Sequence, residues 1–95
     1  MRMPARNVVV WKFPLKLVEV QEIDVPEGAV ALALQLQDDR PCLWAGCDPS
    51  QPLEKRRVLL AGTGVSHPHL ATAGYLGTVQ VNGYVWHFFD DGPVE

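Results

Sequence analysis

The sequence predicts an all-β domain, a small antiparallel β-sandwich or flattened barrel of about six to seven strands. Three observations predict it. Eight prolines lie along the 95 residues, and each removes an amide donor and clashes with the preceding helical turn, so long helices have no room. The segments between them are rich in β-branched and aromatic residues, with stretches that alternate with period two. Asn82-Gly83 sits between two such runs and suits a two-residue type I′ turn, in which both central residues take positive φ.

That turn fixes a register. Val81 should oppose Tyr84, Gln80 Val85, Val79 Trp86 and Thr78 His87. One face then carries Val79, Val81, Tyr84, Trp86 and Phe88 and reads as core. The other carries Leu76, Thr78, Gln80, Val85, His87 and Phe89, a mixed face that meets water, a second layer or a partner.

The remaining strands are expected near 7–13, 16–24, 29–37, 40–47 and 56–62, with the hairpin arms at 75–81 and 84–89. In the second of these the apolar phase changes between Val18/Val20 and Ile23/Val25, which a bulge or bend near Gln21-Glu22 would reconcile. A tight turn at Asp38-Asp39 would group Leu32, Leu34 and Leu36 with Pro41, Leu43, Ala45 and Cys47. Ala33, Gln35, Gln37, Arg40, Cys42 and Trp44 would share the opposite face. Asp-Asp is a poorer primed turn than Asn-Gly, so a longer loop would shift this pairing.

Ninety-five residues make one domain, with a core of about 8–89 and short flexible termini at 1–6 and 91–95. The net charge of −3 argues against nucleic-acid binding, which draws on many phosphate-neutralising cations. The one basic run, Lys55-Arg56-Arg57, would be split between two faces of a strand and reads as a solvated strand end. Cys42 and Cys47 lie five residues apart in one strand and so point to opposite faces. That geometry is poor for a disulfide and suits buried free thiols in a reducing compartment. No secretory leader and no membrane-length apolar run is visible, so a cytoplasmic protein is expected.

Few residues announce chemistry. His67 and His69 flank Pro68, and an imidazole pair of this kind can hold a metal if His87, Asp90 or Asp91 adds a third ligand. Exposed loop histidines are the plainer reading, and no metal or other cofactor is expected. Gly62-Thr63-Gly64 can bring backbone amides towards an anion, but it lacks the lysine and helix start of a P-loop. Ser66-His67 and Asp90-Asp91 form no catalytic constellation, since sequence neighbours rarely meet in proton-transfer geometry, and the acidic pair reads as a solvated turn near the chain end. Trp44, on one face with Gln35 and Arg40, is either an exposed platform for a partner or planar ligand or a side chain covered by a second sheet or a symmetry mate.

Taken in order, Trp11-Lys12-Phe13-Pro14-Leu15, Val25-Pro26-Glu27-Gly28-Ala29, Pro41-Cys42-Leu43-Trp44-Ala45, Gly62-Thr63-Gly64, Tyr75-Leu76-Gly77-Thr78-Val79-Gln80 and Val85-Trp86-His87-Phe88-Phe89 resemble a family of small tailed-phage and prophage proteins. That family is known only as a domain of unknown function. The resemblance spans about residues 8–89. It implies phage origin and an accessory role, supplies no catalytic residues, and places Val65–His69 in a length-variable loop.

Four functions follow as expectations. The first is a non-catalytic phage accessory protein that engages and inhibits or redirects a host factor, a defence component being one candidate. The second is an oligomeric sponge for a nucleotide-type small molecule, with Gly62, Thr63 and Gly64 at a phosphate and Trp44 or Tyr75 stacking on a base. The third is a virion-associated structural module, and an enzyme comes last. A host protein, a nucleotide and a second copy of the chain are the expected partners; a membrane and nucleic acid are not.

Overall fold

A computed structural model describes residues 7–94. Seven strands are present: β1 (Val9–Pro14), β2 (Val20–Pro26), β3 (Val30–Gln37), β4 (Arg40–Cys47), β5 (Leu53–Gly62), β6 (Gly74–Val81) and β7 (Tyr84–Pro93). One 3₁₀ turn, Leu70–Thr72, interrupts the connection between β5 and β6. The strands form two antiparallel sheets, one ordered β1-β4-β3 and the other β2-β5-β7-β6. The predicted all-β, two-sheet architecture is therefore what the chain adopts. The proposed flexible terminus at 1–6 lies outside the described residues, as does Glu95.

Both predicted two-residue turns form. Asn82 and Gly83 take φ of 53° and 81°, and the Val81↔Tyr84, Gln80↔Val85, Val79↔Trp86 and Thr78↔His87 register is the one the turn dictates. Asp38 and Asp39 also take positive φ, 51° and 62°, so Gln37 pairs with Arg40 and Leu34 with Leu43. An aspartate tolerates this left-handed region better than most non-glycine residues.

The core lies between the sheets. Leu34 and Leu43 from the three-stranded sheet meet Val58, Leu60, Val79, Val81 and Phe88 from the other, and Leu15 closes one side. Phe88 is fully buried. The sheets meet along β3 and β6, where Gly77 lets the two backbones approach: a β-carbon there would lie 2.7 Å from that of Leu34. A cavity of about 30 Å³ remains between the sheets beside Ile23, Ala45 and Leu76, room for no more than a water or two.

Bulges account for most of the departures from simple alternation. One between Ala31 and Ala33 leaves Leu32 without a partner residue, and it is 58% exposed instead of joining Leu34 in the core. One between Tyr75 and Gly77 turns Leu76 inward against the core, away from its expected outer face. A bulge adds one residue to one strand, so every simple parity count fails across it. Tyr84 keeps its predicted register but lies at the sheet end and is 66% exposed. In β2 there is no register shift. The expected bulge or bend near Gln21-Glu22 is absent: Val20 lies on the outer face opposite Leu59 and is 49% exposed, while Ile23 packs on the core, so the phase change is a change of face along a regular strand. The bend at 17–19 precedes it, pinned by Gln21, which accepts from the Lys16 amide and donates to the Lys16 carbonyl.

The expected solvated turn at Asp90-Asp91 is corrected by the course of β7, which runs to Pro93, with the Val94 amide donating to the Lys55 carbonyl. The basic run likewise lies inside β5, not at its end. Its side chains alternate as expected. Lys55 meets Asp24, and Arg57 lies near Glu22 and Asp91, on the outer face. Arg56 points the other way. Its guanidinium donates to Asp90 through Nη2 at 2.7 Å and Nε at 3.2 Å, and to Glu54 through Nη1 at 3.0 Å. The hydrogen bond to Asp90 raises the Arg56 pKa above its ordinary value, against the opposing effect of desolvation. Asp90 Oδ1 also accepts from the Gly92 amide, at a bulge where Gly92 takes φ of 90°. Arg56 therefore ties β5 to the bulged end of β7.

β5 and β6 run parallel with β7 between them, and parallel neighbours need a crossover. Residues 63–73 supply it. Leu59 and Ala61 point away from the core, yet are 0% and 6% exposed.

Candidate binding surfaces

The three-stranded sheet presents an outer face whose composition is set by alternation along β4. Pro41, Leu43, Ala45 and Cys47 point inward, so Arg40, Cys42, Trp44 and Gly46 point out. Cross-strand pairing adds Val10, Lys12 and Pro14 from β1, and Val30, Ala33, Gln35 and Gln37 from β3. Trp44, Gln35 and Arg40 therefore share a face, as the turn at Asp38-Asp39 predicted. Cys42 and Cys47 are buried free thiols on opposite faces.

The structure adds residues that sequence reasoning did not single out. Gly46 is the floor of the face: a β-carbon there would lie 3.6 Å from Val8 and 3.8 Å from Leu32. Around it Val8, Val10, Val30 and Leu32 are each about 60% exposed (63%, 59%, 62% and 58%). Four aliphatic side chains around one glycine, continuous with a half-buried Trp44, make a patch of several hundred Å², the scale at which exposed apolar surface marks an interaction site. The ammonium of Lys12 sits 6.0 Å from the centre of the Trp44 ring, within cation–π range, and also donates to Gln37. Strands β1, β3 and β4 contain no aspartate or glutamate. Among the described residues of these three strands, the charged side chains are the cations Lys12 and Arg40.

A second cluster lies on the outer face of the four-stranded sheet. His87 Nε2 is 2.8 Å from Thr63 Oγ1, His87 Nδ1 is 2.9 Å from Thr78 Oγ1, and Thr78 Oγ1 is 2.5 Å from Tyr75 Oη. In the neutral imidazole one nitrogen donates and the other accepts, so the four side chains form one directional chain of hydrogen bonds in either tautomer. Three of them, Thr63, Tyr75 and His87, were predicted site residues; Thr78, the cross-strand neighbour of His87, was not. Gly62-Thr63-Gly64 forms a tight turn, with the Val65 amide donating to the Gly62 carbonyl and Gly64 at φ 82°.

His67 and His69 have ring centres 5.9 Å apart. The His67 side chain is 4% exposed, its Nδ1 accepts from the His69 amide, and its Nε2 lies 3.8 Å from the Glu19 carboxylate. His87, with both nitrogens engaged elsewhere, does not join them, and among the described residues no three histidine, cysteine or carboxylate side chains converge. The His67–Glu19 pair borders a cleft of about 300 Å³ with Leu17, Val65 and Trp86, and a second cleft of about 400 Å³ lies across Trp86 and Gly62, against Thr63 and Tyr84. Trp44 and the Gly62–Gly64 turn occupy outer faces of different sheets, so one chain does not bring them into a common pocket.

These features define a two-sheet all-β domain with one apolar, cation-rimmed face and one polar hydroxyl–imidazole face. The chain belongs to a family described as a domain of unknown function, DUF7352, whose model matches residues 7–95. No curated protein and no solved structure matches the chain. Among the described residues no helix is long and apolar enough to cross a membrane.

Proposed function

We propose that this is a non-catalytic binding protein that docks a partner protein on the outer face of its three-stranded sheet. The observation that carries the reading is the exposed ring of Val8, Val10, Val30 and Leu32 around Gly46, beside Trp44. Burying such a face removes apolar area from water, and a specific interface needs about 800 Å² per partner. Lys12 and Arg40, with no carboxylate on β1, β3 or β4, favour a partner whose contact surface is apolar with an acidic rim. The resemblance to tailed-phage and prophage proteins makes that partner a host factor in the bacterial cytoplasm, a defence component being one candidate, which the protein inhibits or redirects.

The test compares the wild-type chain with Leu32→Glu and Trp44→Ala in pull-downs from host lysate, followed by hydrogen exchange on the purified complex. The reading expects one host protein at stoichiometric yield, lost with Leu32→Glu, and protection over Val30–Leu34. No stoichiometric partner, or a partner indifferent to both substitutions, would overturn it.

A second reading, capture of a nucleotide-type ligand, draws on the hydroxyl–imidazole chain, which gathers Thr63, His87 and Tyr75 beside the open Gly62–Gly64 turn. A ligand at a hundredfold excess over its Kd adds about 2.7 kcal/mol to stability. Thermal shifts against cyclic nucleotides and ADP-ribose derivatives, repeated with Thr63→Val, decide this reading. A virion-associated role rests on the resemblance alone, and mass spectrometry of purified particles tests it.

A further inference from the structure

We propose that two copies of this chain join edge to edge through β1, so that their three-stranded sheets become one six-stranded sheet, β3-β4-β1-β1-β4-β3. The inference does not depend on the partner reading above and concerns a different surface, the strand edge and not the sheet face.

The argument starts from how the four sheet edges are treated. An open edge presents unpaired amides and carbonyls to any extended segment, and proteins blunt it with charge, proline, bulges or cover. The edges formed by β3 and β6 cover each other, closed by the Gly77–Leu34 approach. The β2 edge carries Glu22 and Asp24 and ends in Pro26. Among the described residues, β1 pairs only with β4; its edge carries a single charge, Lys12, and ends in Pro14, which leaves Val9, Val10 and Trp11 as a stretch without charge or proline. Both of its faces carry apolar side chains open to solvent: Val10, beside Lys12, is 59% exposed on one, and Val9 and Trp11 are 39% each on the other. Phe13 continues the second face, its ring 6.4 Å from that of Trp11. A strand that carries apolar side chains on both faces and is free along one edge calls for another strand of the same kind.

A second copy of β1 meets that need, and charge excludes the register centred on Lys12. A two-fold axis perpendicular to the sheet pairs residues antiparallel and keeps each face on its own side, so the axis must pass through a single residue. An axis at Lys12 would set two ammonium groups opposite each other, which is unfavourable. An axis at Trp11 pairs Trp11 with Trp11, Val10 with Lys12, Val9 with Phe13 and Val8 with Pro14. No two charges then face each other, Lys12 lying opposite Val10, and the inner row reads Val9, Trp11, Phe13 across both copies. The two Gly46-centred faces become continuous across the new sheet, so one assembly offers its docking surface twice.

Directly opposed residues in an antiparallel pair have Cα atoms about 4.5–5.5 Å apart, inside the range a disulfide can span. Trp11→Cys therefore places two thiols at the axis. Lys12→Cys does not, because its own copy lies two positions further along the partner strand, about 8 Å away. The experiment is sedimentation equilibrium on the full wild-type chain, joined to mild oxidation of Trp11→Cys, Lys12→Cys and the double variant Val9→Cys/Phe13→Cys, with circular dichroism confirming that each variant folds. The double variant tests the same register without removing the tryptophan. The inference expects a wild-type species of twice the 10.5 kDa chain mass, and covalent dimers from Trp11→Cys and from the double variant but not from Lys12→Cys. A wild-type monomer throughout the micromolar range, or cross-linking that favours Lys12→Cys, would overturn it.

Discussion

Gly77 and Leu34 face each other across the line where the two sheets meet, and a β-carbon on Gly77 would lie 2.7 Å from the β-carbon of Leu34 and 3.1 Å from its Cδ2. Gly77 is not among the residues with positive φ, so it is held by lack of space and not by backbone conformation. The Leu34 β-carbon moves only with β3 itself. Gly77→Ala should therefore lower stability by about 1–3 kcal/mol, the range for overpacking, measured by urea denaturation. A Tm equal to wild type would mean that the sheets can separate freely along β3 and β6.

The three leucines of β3 should respond very differently to truncation. Leu34 is 8% exposed, and Leu34→Ala should cost about 2–5 kcal/mol. Leu32, displaced by the bulge, and Leu36 are 58% and 38% exposed, so each alanine variant there should cost less than about 1 kcal/mol. Equal losses at Leu32 and Leu34 would restore the regular alternation and remove the patch around Gly46.

The turn at Asp38-Asp39 holds two aspartates at positive φ, a region that β-carbons disfavour by about 1–2 kcal/mol per residue. Replacing the pair with Asn-Gly, as the chain itself uses at Asn82-Gly83, should raise stability by about 0.5–1 kcal/mol. A differential scanning measurement gives the answer directly.

Arg56 and Lys55 are adjacent cations with different worth. Arg56 makes two-pronged contact with Asp90 and a further bond to Glu54, with about a quarter of each side chain exposed. Charge-assisted hydrogen bonds of this kind contribute about 1.5–3 kcal/mol, and partial solvent screening reduces that, so Arg56→Leu should cost about 1–2 kcal/mol. Lys55→Leu, which removes an ion pair more than half exposed on both sides, should leave the Tm unchanged. The Arg56 pKa is raised from an already high value, so its contribution is present at every pH below the unfolded arginine pKa. On the arginine side it is therefore constant from neutral to mildly alkaline pH, and a stability profile flat from pH 7 to 10 in the Arg56-dependent difference checks this.

Legibility in the sequence followed the range of the forces involved. The hairpin at Asn82-Gly83 was readable because two adjacent residues determine its φ angles and hence the register of its arms. The face shared by Trp44, Gln35 and Arg40 was readable for the same reason, once the Asp38-Asp39 turn was taken as tight. The positions of Leu32 and Leu76 were not, because a bulge depends on what lies on the neighbouring strand and leaves no mark in local periodicity. The cluster of Thr63, Thr78, Tyr75 and His87 was half visible. The hairpin register places Thr78 beside His87, but only the pairing of β5 with β7, in which Ala61 opposes His87, brings Thr63 to the other ring nitrogen. The acid-free composition of β1, β3 and β4 was present in the sequence throughout. It carries meaning only when those three segments are known to form one sheet.

The position of β7 has a consequence for how the molecule is built over time. It follows every other strand in sequence, yet it is an interior member of its sheet, hydrogen-bonded to both β5 and β6. Until Tyr84–Pro93 arrives, β5 and β6 have no backbone partner between them, and the Phe88 side chain that fills the centre is missing. On a ribosome, the four-stranded sheet therefore closes only once β7 has emerged, since β2 and β5 can pair without it but β6 cannot join them.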